Sequence, residues 1–380
     1  TVESLLKGKN YQIFNWLKNT GIVLSIVKDA DIVIIDSYLA NHSFYKNISE
    51  IVKITAYVDD NKRLNYLRGI VINANIYAEK LKYRGNGSLV YLLGSKYAML
   101  RKEFWKVPKK EIKDKVESIL VTFGGDDQKN MTPKILKFLN KESPEITKNV
   151  VIGNGFKDIK EVEELKDNKT KLIYSPNAEE IKKIMIEADI AISAGGQTLY
   201  ELARLGIPTI GICFVENQLL NLKGWADVGF LEFFTWYNDK NLFKKIKETL
   251  KKLNFKKRTE ISQIGRKFVD GQGAGRVINE ILKVSERRVI DDEIKIINFY
   301  DKDEIYSFLS HVEYRKFNLW PDITDKNIVD FLSKEISGIQ SAGKIFVATK
   351  FDKITALLAV QPLDWDSQHY GFKCAKIEYI

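Results

Sequence analysis

Two glycine pairs stand at the ends of apolar runs, where each can bring the main chain close to a bound group. Gly124 and Gly125 follow "ILVTF", and Gly195 and Gly196 follow "IAISA". Glycine permits close backbone approach, and the unpaired N–H groups of a helix's first turn attract an anion such as a phosphate. Gly196, Gln197 and Thr198 open a helical pattern that carries one carboxylate, Glu201, about a turn in. An acid at that position can accept hydrogen bonds from the hydroxyls of a ribose beside a bound diphosphate. It can equally serve only to complement the helix dipole, and the spacing leaves both readings open. Neither turn has the G-x-x-x-x-G-K-[ST] or G-x-G-x-x-G spacing, so each is also readable as a structural tight turn.

The elements that must position these residues are legible from the rhythm of the chain. Apolar runs at 31–36, 52–61, 69–75 and 88–100 are followed by a Lys- and Pro-bearing stretch near residue 108. The runs then restart at 119–125, 148–155, 170–177, 190–196 and 208–214, alternating with helical patterns. Such alternation predicts βαβ units and parallel sheet, with strands covered on both faces. In open parallel sheets, ligands gather at the carboxyl ends of the strands, where both glycine pairs fall. The stretch near 108 reads as a linker. After about residue 287 the pattern changes, and "KIFVATKFDKITALLAVQPL" reads as antiparallel strands around a turn. The expected domains are therefore 1–107, 108–286 and 287–380.

Composition excludes several function classes. The chain has 380 residues, 44% hydrophobic and 29% charged, as in an ordinary globular protein. The net charge of +10 is spread along helices and not gathered on one arm. In "NLFKKIKETLKKLNFKKR", for example, Ile246, Leu250 and Leu253 recur at helical spacing among the lysines. That pattern predicts an amphipathic surface helix, not a nucleic-acid patch. No apolar run is long enough to span a membrane. Two cysteines, Cys213 and Cys374, favour a reducing, cytoplasmic setting. Three scattered histidines, His42, His311 and His369, give no metal-ligand spacing, and no metal site is expected.

Seven motifs occur in an order that resembles a known family: "DIVIIDSY", "AYVDDN", "VINANIYA", "LLGSKYAMLRKEF", "ILVTFGGDDQKN", "ISAGGQTLYELARLGIPTIGICFVENQ" and "VDGQGAGRV". The family is that of the UDP-sugar hydrolases of the pseudaminic acid pathway and the related spore-coat polysaccharide biosynthesis proteins. The strand–GG–Thr–Glu stretch is more distantly similar to the N-acetylglucosaminyltransferase that makes lipid II. The resemblance implies an α/β fold of two Rossmann-like domains, glycosyltransferase-B-like, with UDP held mainly by the second. It implies that Gly124, Gly125 and Asp126 face phosphates and sugar, and that Gly196, Gln197 and Thr198 take the diphosphate. Glu201 would bind ribose, the segment Ser175–Asn177 would lie beside the uracil, and Asn217 and Gln218 would contact diphosphate or sugar. Asp36, Tyr38, Asp59 and Asp60 would line the sugar side.

The family opens with a strand and a G-x-G-H-x-x-R loop whose histidine is the catalytic base, and residues 1–30 carry no such loop. Two expectations follow: an N-terminally incomplete form, or a branch without that histidine. Asp36, Asp59 and Asp60 are then the substitute bases, and His42 reads as an exposed loop residue. The implied activity is hydrolysis of a UDP-linked diacetamido-trideoxyhexose in cell-surface glycan synthesis, with no cofactor required. A UDP-sugar-dependent glycosyltransferase and a catalytically incomplete nucleotide-sugar-binding protein are the alternatives.

"LDWDSQHYGFKCAKIEYI" resembles the start of GNAT-type acetyltransferases acting on nucleotide-linked aminosugars. Residues 287–380 are thus expected to be a partial α+β GNAT-like domain, with Asp364, Trp365 and Tyr370 at its acceptor end. Acetyl-CoA binding is expected only of the complete domain. The same segment is the candidate surface for self-association.

Overall fold

The computed structural model describes residues 6, 8–13, 15–83, 87–157, 159–297, 306, 344–350, 353–362 and 375–379, with side chains described up to residue 285 and at Tyr306. The chain divides into two compact units, Thr1–Ile281 and Leu282–Ile380.

The first unit contains two parallel sheets. One has four strands, β1 (Ile32–Asp36), β2 (Ile54–Val58), β3 (Gly69–Asn73) and β4 (Leu89–Leu93), lying in sequence order. Ile32 pairs with Ile54, Ala56 with Ile70, and Gly69 with Leu89, all in parallel register. Their acids and amides, Asp36, Asp59, Asp60 and Asn73, therefore share one carboxyl edge. Phe44, Tyr45, Ile48, Val52, Tyr57 and Tyr66 pack beneath this sheet, with Tyr57 and Tyr66 stacked at 4.4 Å.

The other sheet has six parallel strands: β5 (Ser118–Thr122), β6 (Thr147–Ile152), β7 (Thr170–Tyr174), β8 (Ile190–Ala194), β9 (Thr209–Cys213) and β10 (Leu231–Trp236). Their order is β10-β9-β8-β5-β6-β7. Strands β5, β8 and β9 are buried at every position, as their unbroken apolar runs require of strands covered on both faces. The chain runs outward from β5 in one direction and from β8 in the other. The strand order thus reverses between them, and open parallel sheets hold ligands at the carboxyl ends of such a reversal.

The stretch expected to be a linker is bolted down along its length. Arg204 donates to the carbonyls of Phe104 and Trp105, Arg266 to that of Pro108, and buried Arg258 to those of Lys113 and Asp114. The Lys110 ammonium donates to the carbonyls of Ile186 and Ala188. Charge-assisted bonds of this kind are the strong ones, and they tie residues 104–114 to the six-stranded domain.

The lysine-rich run forms two helices, Leu242–Lys252 and Phe255–Phe268, where a single one was expected. The break falls at Asn254, whose side chain accepts from the Lys257 amide and caps the second helix. Leu242 and Ile246 face inward while the lysines face out.

The second unit contains an antiparallel sheet, β11 (Ile294–Ile297), β12 (Lys344–Lys350), β13 (Lys353–Pro362) and β14 (Ala375–Tyr379), in sequence order. Asp364, Trp365, Tyr370, His311, His369 and Cys374 lie outside the described residues.

Candidate functional site

Helix capping separates the loops at the six-stranded sheet's carboxyl edge into two kinds. After β5, Asp127 turns its carboxylate onto the amides of Met131 and Thr132, at 2.9 and 2.6 Å, and closes the start of the helix Met131–Glu142. Asp127 is buried; burial raises its carboxyl pKa and these hydrogen bonds oppose the rise. After β7, Asn177 forms a capping box with Glu180 at the start of the helix Ala178–Glu187. Those two helix starts are satisfied from within.

The helices after β8 and β9 are open. The helix Thr198–Leu205 has no side-chain cap, and the amides of Gln197 and Thr198 donate to no described group. The helix Glu216–Asp227 likewise has no side-chain cap. The two starts touch: a Cβ on Gly195 would fall 2.8 Å from Leu222 Cγ and 2.9 Å from Gln218 Cβ. Only glycine allows that approach. Gln218 turns inward to accept from the Phe214 amide at 3.0 Å, and Asn217 stays exposed. Two uncapped helix starts side by side, near the strand-order reversal, bring two positive helix-dipole ends together, an arrangement that favours an anion.

The other glycine pair has a packing role. The Gly125 carbonyl accepts from the Gly155 amide at 2.8 Å, and a Cβ on Gly153 would fall 2.2 Å from that same oxygen. Gly124 has φ +82°, a left-handed conformation that disfavours a side chain. Gly124, Gly125 and Asp126 remain exposed after β5, with Asp126 accepting from Gln128.

Glu201 is buried on the helix that starts at Thr198. Arg101, arriving from the segment after β4, donates to its Oε1 from Nε at 2.9 Å and Nη2 at 2.7 Å. Burial raises the Glu201 pKa, and the Arg101 charge opposes that rise.

The four-stranded sheet brings its own residues to the opposite side. Tyr38 donates to Asp60 Oδ2 at 2.5 Å, and Asn75 donates to Asp60 Oδ1 at 3.0 Å. Asp59 differs: its buried carboxylate accepts from the amides of Asn61 and Arg63 and pins that turn. Asp36 is exposed at the end of β1, and His42 begins the helix His42–Ile51.

A chain of hydrogen bonds joins the two sides. The Ile76 amide donates to the Tyr200 hydroxyl at 2.9 Å. That hydroxyl donates to Asn221 Oδ1 at 2.7 Å, and Asn221 donates to the Gly195 carbonyl at 2.7 Å. Asn75 Oδ1 stands 3.3 Å from the same hydroxyl. Asp60 is thereby linked to the Gly195 turn through Asn75, Tyr200 and Asn221. The sequence reading missed Arg101, Asn75, Tyr200 and Asn221. The Arg101–Glu201, Ile76–Tyr200 and Asn75–Tyr200 contacts span 100, 124 and 125 residues, and no local spacing marks them. Among the described residues, no three His, Cys, Asp or Glu side chains converge to hold a metal ion, and no helix is long and apolar enough to cross a membrane.

Residues 118–273 match the glycosyltransferase family 28 C-terminal domain. The matched segment contains the whole six-stranded sheet and both open helix starts. An uncharacterised protein of Methanocaldococcus jannaschii is 36% identical over 229 residues, which are 56% of this chain and 46% of that protein. The spore coat polysaccharide biosynthesis protein SpsG of Bacillus subtilis is 27% identical over 183 residues, covering 47% of this chain and 53% of its own length. A Helicobacter pylori protein is 27% identical over 215 residues, covering 56% of this chain and 39% of that protein. It is named as pseudaminic acid cytidylyltransferase and UDP-2,4-diacetamido-2,4,6-trideoxy-beta-L-altropyranose hydrolase. The chain spans about half or less of the length of these relatives.

Among solved structures, MurG of Acinetobacter baumannii superposes with a TM-score of 0.54 at 17% identity, covering 74% of this chain and 88% of that one. S. aureus MnaA, solved with UDP, superposes with a TM-score of 0.51 at 12% identity, covering 75% and 87%. At these identities the likeness establishes the fold, which is glycosyltransferase-B-like.

Proposed function

We propose that this chain binds and cleaves a nucleotide sugar, releasing UDP from a UDP-linked diacetamido-trideoxyhexose in cell-surface glycan synthesis. The observation that carries the reading is the pair of touching, uncapped helix starts near the strand-order reversal, with a buried carboxylate one turn along. The hydrolase named in the Helicobacter pylori relative and the UDP in the MnaA structure support it.

In this reading the diphosphate lies on the amides of Gln197 and Thr198, with Gly196 giving it room and Asn217 beside it. Those amides and the two helix dipoles stabilise the negative charge that grows on the leaving UDP. Glu201 accepts from the ribose hydroxyls. The sugar faces Tyr38 and Asp60, with Gly124, Gly125 and Asp126 beside it. Of the three acids expected as substitute bases, Asp59 is tied up by backbone amides that pin a turn, whereas Asp60 is held by the side chains of Tyr38 and Asn75, which can turn aside for a bound water. Asp60 is therefore the group to accept a proton from the attacking water. Asn177, already a cap, borders the base-binding side through its backbone.

The family 28 match itself favours a second reading, in which an acceptor hydroxyl takes the place of water. Free UDP released from the nucleotide sugar, assayed with and without acceptor, distinguishes the two. Release that needs no acceptor and falls by about 10²-fold or more in Asp60→Asn, the scale of general-base catalysis, supports hydrolysis. Acceptor-dependent release supports transfer, and no UDP binding at all sinks both.

For residues 287–380 we propose an acetyltransferase-like role toward the same class of sugar, supported by the sequence resemblance alone.

A further inference from the structure

The hydrogen bonds around Glu201 use one carboxylate oxygen and leave the other open. Both Arg101 donors converge on Oε1, and Oε2 accepts from no described residue. The Glu201 side chain is 9% exposed, against 47% for Arg101. Oε2 is not among the sealed-off polar atoms without a partner, so it is within reach of a ligand hydroxyl, and a bond from a hydroxyl to a carboxylate is of the strong, charge-assisted kind.

Arg101 is itself held in place. Its guanidinium lies over the Phe104 ring, 5.3 Å from the centroid. Three residues beyond Glu201 on the same helical face, Arg204 grips the carbonyls of Phe104 and Trp105 at 3.0 and 2.7 Å. The segment from Arg101 to Trp105 is therefore anchored on the helix at two points.

We infer that Arg101 is a positioning residue: it holds the Glu201 carboxylate turned so that Oε2 is presented to a vicinal diol, and it thereby makes the site selective for ribonucleoside over 2′-deoxyribonucleoside diphosphates. The inference rests on the nucleotide reading above. One carboxylate oxygen has lone pairs for two hydroxyls, and a ligand lacking one hydroxyl leaves that oxygen half-satisfied. Burial raises the carboxyl pKa, Arg101 opposes this, and Glu103, on the same segment as Arg101, reinforces the rise. On the far side, the helix Phe255–Phe268 and the residues after it bring Arg266 and Asp270 to Arg204, not to Glu201. The helix Ala178–Glu187, also packed nearby, brings no charge that acts on the carboxyl. Arg101 is thus the one cation opposing protonation of Glu201 among the described residues.

The test is calorimetric titration of wild type, Arg101→Lys and Arg101→Met with UDP and 2′-deoxy-UDP at pH 6 and pH 8. The Glu201 carboxyl is followed in parallel by carbon NMR without nucleotide. Wild type should prefer UDP by about tenfold or more at both pH values, the scale for one lost bond to a charged group. In Arg101→Met the preference should shrink, and more at pH 6 than at pH 8, because removing the Arg101 charge lets burial raise the carboxyl pKa further. Arg101→Lys should keep the flat pH profile. If Arg101→Met weakens both nucleotides equally and leaves their ratio intact, Arg101 is only a strap and the inference fails. An unmoved Glu201 titration in Arg101→Met overturns it as well. Failure of wild type to bind either nucleotide overturns the nucleotide reading and the diol assignment together, which is a distinguishable result.

Discussion

Gly153 and Gly196 separate two uses of glycine in one sheet edge. A Cβ at Gly153 would meet the Gly125 carbonyl at 2.2 Å, whereas one at Gly196 would meet nothing within 4 Å. Gly153→Ala should therefore lower the urea midpoint clearly, in the range of about 1–3 kcal/mol for overpacking. Gly196→Ala should stay within about 0.5 kcal/mol of wild type yet lose UDP affinity, because its methyl occupies the phosphate's place. Equal stability losses in both would show that Gly196 too is a packing glycine. At Glu201 the net pKa shift is upward, burial outweighing Arg101. The folded protein thus binds that proton more tightly than the unfolded chain, and stability falls as pH rises above the ordinary carboxyl range. Glu201→Gln removes this cost. Without ligand its melting temperature should equal or exceed that of wild type at pH 7, with the gap closing toward pH 4. A variant less stable at pH 7 than at pH 4, relative to wild type, would show that the ion pair dominates.

At the scale of elements, the strands and the glycine turns were legible because buried parallel strands leave unbroken apolar runs. "ILVTFGG" and "IAISAGG" could be read as strand and turn without knowing their neighbours. The caps are legible too. Asn177 with Glu180 three residues on, ahead of "IKKIM", is a capping-box signature, and it assigns the Asn177 side chain to the helix before any base. What local pattern could not supply was the joining of the two sheets, since Tyr200 meets Ile76 across 124 residues of sequence. Its hydroxyl is fully buried, and burial pushes its pKa up, so it stays a neutral donor and acceptor. Tyr200→Phe would leave the Ile76 amide and Asn221 Oδ1 unmatched at a cost of about 1–3 kcal/mol. Hydrogen exchange should then quicken at Ile76 specifically. If protection at Ile76 is unchanged, the contact does not hold the sheets together.

The whole first unit is organised around a crossing that looks, in sequence, like a place to cut. Lys106, Lys109, Lys110, Lys113 and Lys115 lie within ten residues, an inviting substrate for trypsin if the stretch were loose. It is instead fastened by Arg204, Arg258, Arg266 and Lys110 to carbonyls on either side. Brief digestion should leave this stretch whole while more exposed lysines are cleaved, and early fragments ending at 106–115 would contradict the fastening. The bolts also bridge the crossing to helices that come much later in the chain. A protein expressed as two pieces, divided here, should therefore find its other half and hold it without a covalent bond, which makes the crossing a natural seam for a reporter that lights up only on reassembly.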